Sequence, residues 1–197
     1  MWDKAEELLL KDKYISPLIK KHGPCKIKPS KKKDYFLDLV DAIVSQQLSG
    51  KAAATIFGRV KEGLDGEVVP AKILSTPDSK FRKWGLSRQK TSYLKELAQK
   101  VKGGDVKIKK LDKLPDEEVV RELIAVKGIG RWTAEMFLMF SLARPDTFPI
   151  NDLGIQKGIA KLLKKKISSQ KMAKFAERWK PYRTAASWYV WKVVDNK

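Results

Sequence analysis

The stretch LPDEEVVRELIAVKGIGRWTAEMFLMF, residues 114–140, leaves the chain few conformational choices. Apolar residues recur at three- and four-residue intervals on both sides of Gly128-Ile129-Gly130, which is helical spacing. Pro115 at a first-turn position, with Asp116, Glu117 and Glu118 behind it, suits a helix start, where the macrodipole favours acids. This helix is expected to stop at Val126 or Lys127, and a second to begin at Arg131 and carry Trp132, Met136, Met139, Phe140 and Ala143 at helical spacing. Two helices must therefore reverse on three residues. Glycine permits positive φ and a close approach of backbone to a partner. The first N–H groups of the second helix then face outward as an anion site, and Ile129 can anchor the turn in the core. A lone Gly-x-Gly fits an ordinary helix–turn–helix corner equally well.

The remaining sequence also reads as helical. Asp34 can cap a helix with Phe36, Leu39, Val40, Ile43 and Val44 on one face. Pro77 after Thr76, and Ser87 before RQKTSYLKELAQKV, mark two further starts, and Pro181 opens the last helix. No alternating strand is present. GGDVKIKKL, residues 103–111, reads as an extended connector, and Gly103-Gly104 as the hinge between lobes. With 197 residues, 43% of them apolar, the chain can bury a core as one domain or as two joined lobes.

Charge and scarce residue types narrow the function. Forty-two Lys and Arg against 23 Asp and Glu give a net charge of +19. Such a field costs stability by self-repulsion and points to a polyanionic partner, nucleic acid before an anionic membrane. The bland alternative is a generally lysine-rich proteome. Lysines group at Lys20, Lys21, Lys26, Lys28 and Lys31 to Lys33, then from Lys100 to Lys113, then at Lys161 and Lys164 to Lys166. Lysine is a flexible point charge that suits phosphate, whereas arginine forks read guanine edges. Each group can equally be a solvated loop. Cys25 and His22 are the single cysteine and histidine, which rules out an internal disulfide, a Cys/His zinc site, an iron–sulfur cluster and a Ser-His-Asp triad. Chemistry must come from carboxylates, amines or hydroxyls. One free thiol, a charged N-terminus and no apolar run near the ~20 residues of a membrane span set the expectation of an intracellular protein.

The longer pattern Leu123-x-x-Val126-x-Gly128-Ile129-Gly130-x-x-Thr133-Ala134 resembles the helix-hairpin-helix DNA-binding motif. GIGRWTAEMFLMF, FPINDLGIQKGI and AERWKPYRTAASWYVWKVV, with DAIVSQQLSGKAA at residues 41–53, look like the DNA-3-methyladenine glycosylase II family of the helix-hairpin-helix (HhH-GPD) glycosylase superfamily. The resemblance runs from about residue 34 to 195 in the family's order. It implies one all-α domain over residues 1–197 with a DNA-binding cleft between two lobes. One lobe is expected at roughly 34–112, the other at roughly 113–197 with the N-terminal helices. Larger bacterial members carry an extra N-terminal β domain, and the compact all-helical form without it is expected here.

The resemblance places the family's essential acid on Asp152. The chemistry agrees, since a carboxylate stabilises an oxocarbenium-like sugar and can orient or deprotonate the attacking water. Taken by itself, Asp152 reads as a helix N-cap. Trp132 and Trp191 match pocket tryptophans, whose faces suit a cationic methylated purine. Met136 stands where well-known bacterial members have tyrosine. Trp179 and Trp188 read as core. Gln46, Gln47, Leu48 and Ser49 fall where the family wedges into the duplex, with either Gln47 or Leu48 as the wedge; they also read as a helix C-terminus capped by amides. Lys127, Gly128, Ile129, Gly130, Arg131 and Thr133 are implied DNA contacts. The carbonyls of Ile124, Val126 and Ile129 are implied ligands for a structural sodium or potassium ion, no cofactor being required. Bifunctional relatives such as endonuclease III carry a nucleophilic lysine just after the hairpin arginine. Trp132 occupies that position, so strand-cleaving lyase activity is not expected. The implied activity is excision of alkylated purines (3-methyladenine, 7-methylguanine) from double-stranded DNA by base flipping, by a DNA-associated monomer in the cytoplasm, nucleoid or nucleus. The alternatives are the same fold acting on a deaminated or oxidised base or a mismatch, a lyase, and a non-catalytic DNA-binding module.

Overall fold

The computed structural model describes residues 1–30 and 34–195. Lys31 to Lys33, part of the first lysine group, lie outside the described residues. Helices and turns, with no strand among the described residues, make up the fold, as an all-α chain requires. In chain order the helices are α1 (Asp3–Leu9), α2 (Ser16–His22), α3 (Tyr35–Ser45), α4 (Gly50–Gly63), α5 (Pro70–Ser75), α6 (Asp78–Lys83), α7 (Arg88–Gly103), α8 (Asp116–Ile124), α9 (Arg131–Phe140), α10 (Leu153–Leu163), α11 (Ser169–Ala176) and α12 (Arg183–Lys192).

The contacts divide the chain into two units, Ser30–Phe137 and Met1–Pro29 with Leu138–Lys197. The boundary therefore falls inside α9. The hairpin groups with residues 34–112, not with the C-terminal third as expected, and Gly103-Gly104 is no hinge. Gly104 instead ends α7 in the left-handed conformation at φ 84°, an ordinary helix stop. The segment expected to be extended is a 3-10 turn, Ile108–Lys113. Val106 and Leu111 are both buried, and residues five apart would point to opposite faces of a strand.

In the unit Ser30–Phe137, α7 is the central helix, with α3, α5 and α6 packed on it. Thr91, Leu94, Leu97 and Ala98 form its buried stripe. Ser87 caps it by accepting from the Lys90 N–H at 3.1 Å, and Asp34 caps α3 by accepting from the Leu37 N–H at 3.1 Å, both as the sequence predicts. Phe36, Leu39, Val40, Ile43 and Val44 of α3 are buried.

In the other unit α12 is central, with α1, α2 and α10 against it. Thr184 to Ser187, Tyr189 and Val190 are buried, so this helix is covered on nearly every side. It starts at Arg183, two residues after Pro181. Gly158 of α10 lets the two helices close up, since a Cβ there would fall 2.5 Å from Val190 Cγ1. Trp179 is fully buried core, as expected. Cys25 is buried too, and burial pushes its thiol up to about 11, which makes it an inert core residue.

Candidate active site

Asp152 is the N-cap of α10, in extended conformation, and its Oδ1 accepts from the Ile155 N–H at 2.8 Å. The same oxygen accepts from Trp191 Nε1 at 2.8 Å, across 39 residues of chain. The capping role and the implied catalytic position thus coincide. Two donors on one oxygen fix the carboxylate plane, and charge-assisted bonds of this kind are about twice as strong as neutral ones. Gly154 makes room for the contact. A Cβ there would lie 2.7 Å from Trp191 Cδ1 and 3.0 Å from Asp152 Oδ1. Phe140 stacks on the indole with centroids 5.8 Å apart and rings inclined by 25°. Trp191 was expected as a pocket wall; it also holds the acid.

The loop that delivers Asp152 is pinned to the start of α12. Arg183 donates to the Asp146 carboxylate from Nε at 2.7 Å and from Nη2 at 2.9 Å. Thr184 Oγ1 donates to the Arg144 carbonyl at 2.6 Å and accepts from the Thr147 N–H at 3.0 Å. One helix thus fixes both the approach to Asp152 and the carboxylate itself.

In the unit Ser30–Phe137, the other predicted elements come together. Gln46 ends α3, and its Nε2 donates to the Gly128 carbonyl of the hairpin at 2.9 Å. The amide-capping alternative was thus half right: Gln46 does satisfy a carbonyl, but one 82 residues away. Gln47 takes a left-handed φ of 57° and is exposed with Leu48 and Ser49, the last capping α4. Both wedge candidates thus stand at the surface. The hairpin turns as predicted, although α8 ends earlier, at Ile124, and Pro115 is its N-cap rather than its first residue. Gly128 has φ 94° and sits on the Tyr93 ring, where a Cβ would come within 2.2 Å. Gly130 differs, since a Cβ there would meet nothing within 4 Å. Its missing side chain leaves space outside the protein, where a partner's backbone can approach. Ile129 and Val126 are buried anchors, and Lys127 is exposed.

Two of the expected DNA contacts are already engaged within the protein. Thr133 is buried, because it lies on the core face of α9, so its side chain cannot reach a surface partner. Arg131 is already engaged. Its guanidinium forks onto Glu117 at 2.6 and 3.3 Å, and its Nε donates to Glu135 at 3.2 Å. Hydrogen bonds from Arg131 hold the Glu117 carboxyl below the usual carboxylate range. Ala143, expected to continue α9, lies beyond its end at a φ of 51°. Trp132 is 44% exposed on the first turn of α9, with Met136 half-buried one turn on. Trp188, expected in the core, is only half-buried, edge-on to Tyr189 with Lys192 Nζ 5.1 Å from its ring centre.

Sequence reasoning assigned no site role to Phe140, Tyr93, Lys90 or Glu117. The i,i+4 spacing of Arg131 and Glu135 was a usable signal. The small residue two places after Asp152 was another. No group of three or more His, Cys, Asp and Glu that could hold a metal is found among the described residues. No helix among them is long and apolar enough to cross a membrane.

Residues 40–182 match the family described as HhH-GPD superfamily base excision DNA repair protein. The chain is 39% identical to DNA-3-methyladenine glycosylase 1 of Schizosaccharomyces pombe over 166 residues, 82% of this chain and 73% of that one. It is 35% identical to DNA-3-methyladenine glycosylase of Saccharomyces cerevisiae over 207 aligned positions, 98% of this chain and 70% of that one. The solved structure of the S. pombe 3-methyladenine DNA glycosylase Mag1 in complex with abasic DNA superposes with a TM-score of 0.87 at 37% identity, covering 96% of this chain and 95% of that one. The matched span, which contains the hairpin and Asp152, places this chain in the HhH-GPD superfamily, within its DNA-3-methyladenine glycosylase family.

Proposed function

We propose that this protein is a monofunctional DNA glycosylase that flips alkylated purines out of duplex DNA and hydrolyses their N-glycosidic bond, opening base excision repair. The observation that carries this reading is the Asp152 carboxylate, fixed at the start of α10 by the Trp191 indole in a chain of this family. As the bond to the base lengthens, positive charge grows on the sugar, and a preorganised carboxylate stabilises it. Water adds to the sugar carbon and loses its proton, for which Asp152 is the candidate acceptor. An N3- or N7-methylated purine is already cationic and leaves as a neutral base with the bonding electrons. A separate general acid is then unnecessary. Trp132, 44% exposed, is the indole on which such a base would stack. The solved S. pombe relative is bound to abasic DNA, which is what base removal leaves behind.

The position after Arg131 is Trp132 and not lysine, so no amine there can attack the sugar, and we assign no lyase step. Gly130, Lys127 and the first N–H groups of α9 would meet phosphate at the hairpin. A sodium or potassium ion would take the carbonyls of Ile124, Val126 and Ile129; the Val126 oxygen, which accepts from the Ile129 N–H at 3.0 Å, keeps a second lone pair. Such an ion would be structural, and the protein would act as a monomer. Met136, where well-known bacterial members carry tyrosine, favours a second reading in which the pocket prefers another lesion.

The test is single-turnover release from methylated duplex DNA, with 3-methyladenine and 7-methylguanine separated, for wild type and Asp152→Asn. Wild type is expected to release alkylated base, with the variant slower by about 10²–10³-fold. Equal rates would remove Asp152 from the reaction, and no release by either would remove the reading. Borohydride trapping on abasic DNA is expected to give no covalent adduct.

A further inference from the structure

One ammonium group holds the end of α3 in the unit Ser30–Phe137, and the Gln46 side chain links that end to the hairpin. Lys90 projects from the first turn of α7, and its Nζ donates to the Val44 carbonyl and to the Gln46 carbonyl, each at 2.7 Å. These oxygens belong to the end of α3, where carbonyls lack helical partners and the macrodipole favours a cation. Burial holds the Lys90 amine below the usual lysine range. From the fixed residue Gln46 two things follow. The next residue, Gln47, has a φ of 57°, and Gln47 and Leu48 are both exposed. The Gln46 side chain reaches the other way, to the Gly128 carbonyl at 2.9 Å. Gly128 in turn lies on the ring of Tyr93, one helical turn beyond Lys90 on α7. A polar hollow of about 390 Å³ is lined by these same groups: Gln46, Gln47, Lys90, Tyr93, Gly128 and Gly130.

We propose that Lys90 is a positioning residue that fixes the backbone of Gln46, and through the Gln46 side chain the place of the Gln46–Ser49 turn beside the hairpin, and so governs how readily this protein opens a paired duplex. The inference rests on the glycosylase reading and adds a residue outside the motifs that carry it. The hairpin would hold the DNA backbone while the turn at Gln47 and Leu48 fills the gap left by the flipped base. Base flipping must meet the unpairing and unstacking cost before any chemistry. A turn free to move relative to its backbone anchor loses the benefit of being pre-placed. Methionine at position 90 keeps the stem but leaves both carbonyls without the ammonium. Arginine keeps a cation with several donors.

The experiment compares wild type, Lys90→Met and Lys90→Arg in single-turnover release of one 7-methylguanine. The lesion is placed opposite cytosine, or opposite a tetrahydrofuran spacer that removes the pairing cost. 2-Aminopurine beside the lesion reports unstacking. Lys90→Met is expected to slow release from the paired duplex by about 10–100-fold and to lose most of the fluorescence rise. On the spacer duplex it should run at nearly the wild-type rate, which a misfolded protein could not do. Lys90→Arg should recover most of the paired-duplex rate. Equal rates for Lys90→Met and wild type on the paired duplex would overturn the inference. So would an equal loss on both duplexes, because the ammonium would then serve the fold or the chemistry and not the turn. Wild type that releases nothing from either duplex would overturn the glycosylase reading and this inference with it.

Discussion

Asp152 is held by an indole N–H from the central helix of its unit, and Gln46 and Gly128 are held by an ammonium group and a ring face from the central helix of theirs. In the first case a side chain fixes a side chain. Trp191 aims one carboxylate, and Gly154 is small so that the indole can reach it. In the second case side chains fix backbone. Lys90 takes the carbonyls at the end of α3, Gln46 takes the carbonyl of Gly128, and Tyr93 lies under that glycine. The division matches the chemistry assigned to each. A developing charge on a sugar is met by one well-aimed group. A DNA backbone is met by main-chain amides and open space, as at Gly130. Damage to the first region should therefore appear in the chemical rate, and damage to the second in binding or duplex opening.

The sharpest way to break that contrast is Gly154→Ala. The added methyl would press into Trp191 and Asp152 Oδ1, so the indole must move off the carboxylate. We expect a fall of roughly 100-fold in single-turnover rate at saturating DNA, with DNA affinity kept. Gly128→Ala is its counterpart. It places a methyl in the Tyr93 ring at a φ of 94°. A loss of about 1–3 kcal/mol in unfolding free energy and weaker duplex binding are expected, with the rate at saturation largely kept. If both variants lowered the same kinetic parameter, the two regions would not be separable. The smallest effect belongs to Glu117. Its carboxyl is held below the usual range by Arg131, so the pair contributes stability at neutral pH and loses it as pH falls below the ordinary glutamate range. Both partners are largely exposed, and solvent screening limits the neutral-pH effect of Glu117→Gln to at most about 1 kcal/mol. Thermal melts from neutral to acid pH should show the variant less sensitive to acid than wild type.

Much of this was legible in the sequence where the cause is local. Asp34 and Ser87 announce their helices because a cap bonds three residues ahead. Gly128 announces its turn because only glycine takes that φ without strain. Asp152 could be placed at a helix start for the same local reason, and the family pattern singled it out from other caps. What holds these residues was not legible. The partners of Asp152, Gly128 and the end of α3 lie 39, 82 and more than 40 residues away, and packing decides them. The unit boundary escaped notice because it falls within a continuous helix, where no glycine or proline marks it. Arg131 reads as a phosphate contact from its residue type, and its pairing with Glu117, 14 residues back, was not legible there.

The most direct test of the account is a double-mutant cycle on single-turnover base release, with Trp191→Phe made in wild type and in Asp152→Asn. Phenylalanine keeps an aromatic ring against Phe140 but cannot donate to Oδ1. If Trp191 serves the reaction by aiming Asp152, its loss should slow wild type by about 10-fold or more, the weight of a hydrogen bond to a charged group, and leave Asp152→Asn almost unchanged. Losses that add in full would contradict the account, since Trp191 would then act without Asp152.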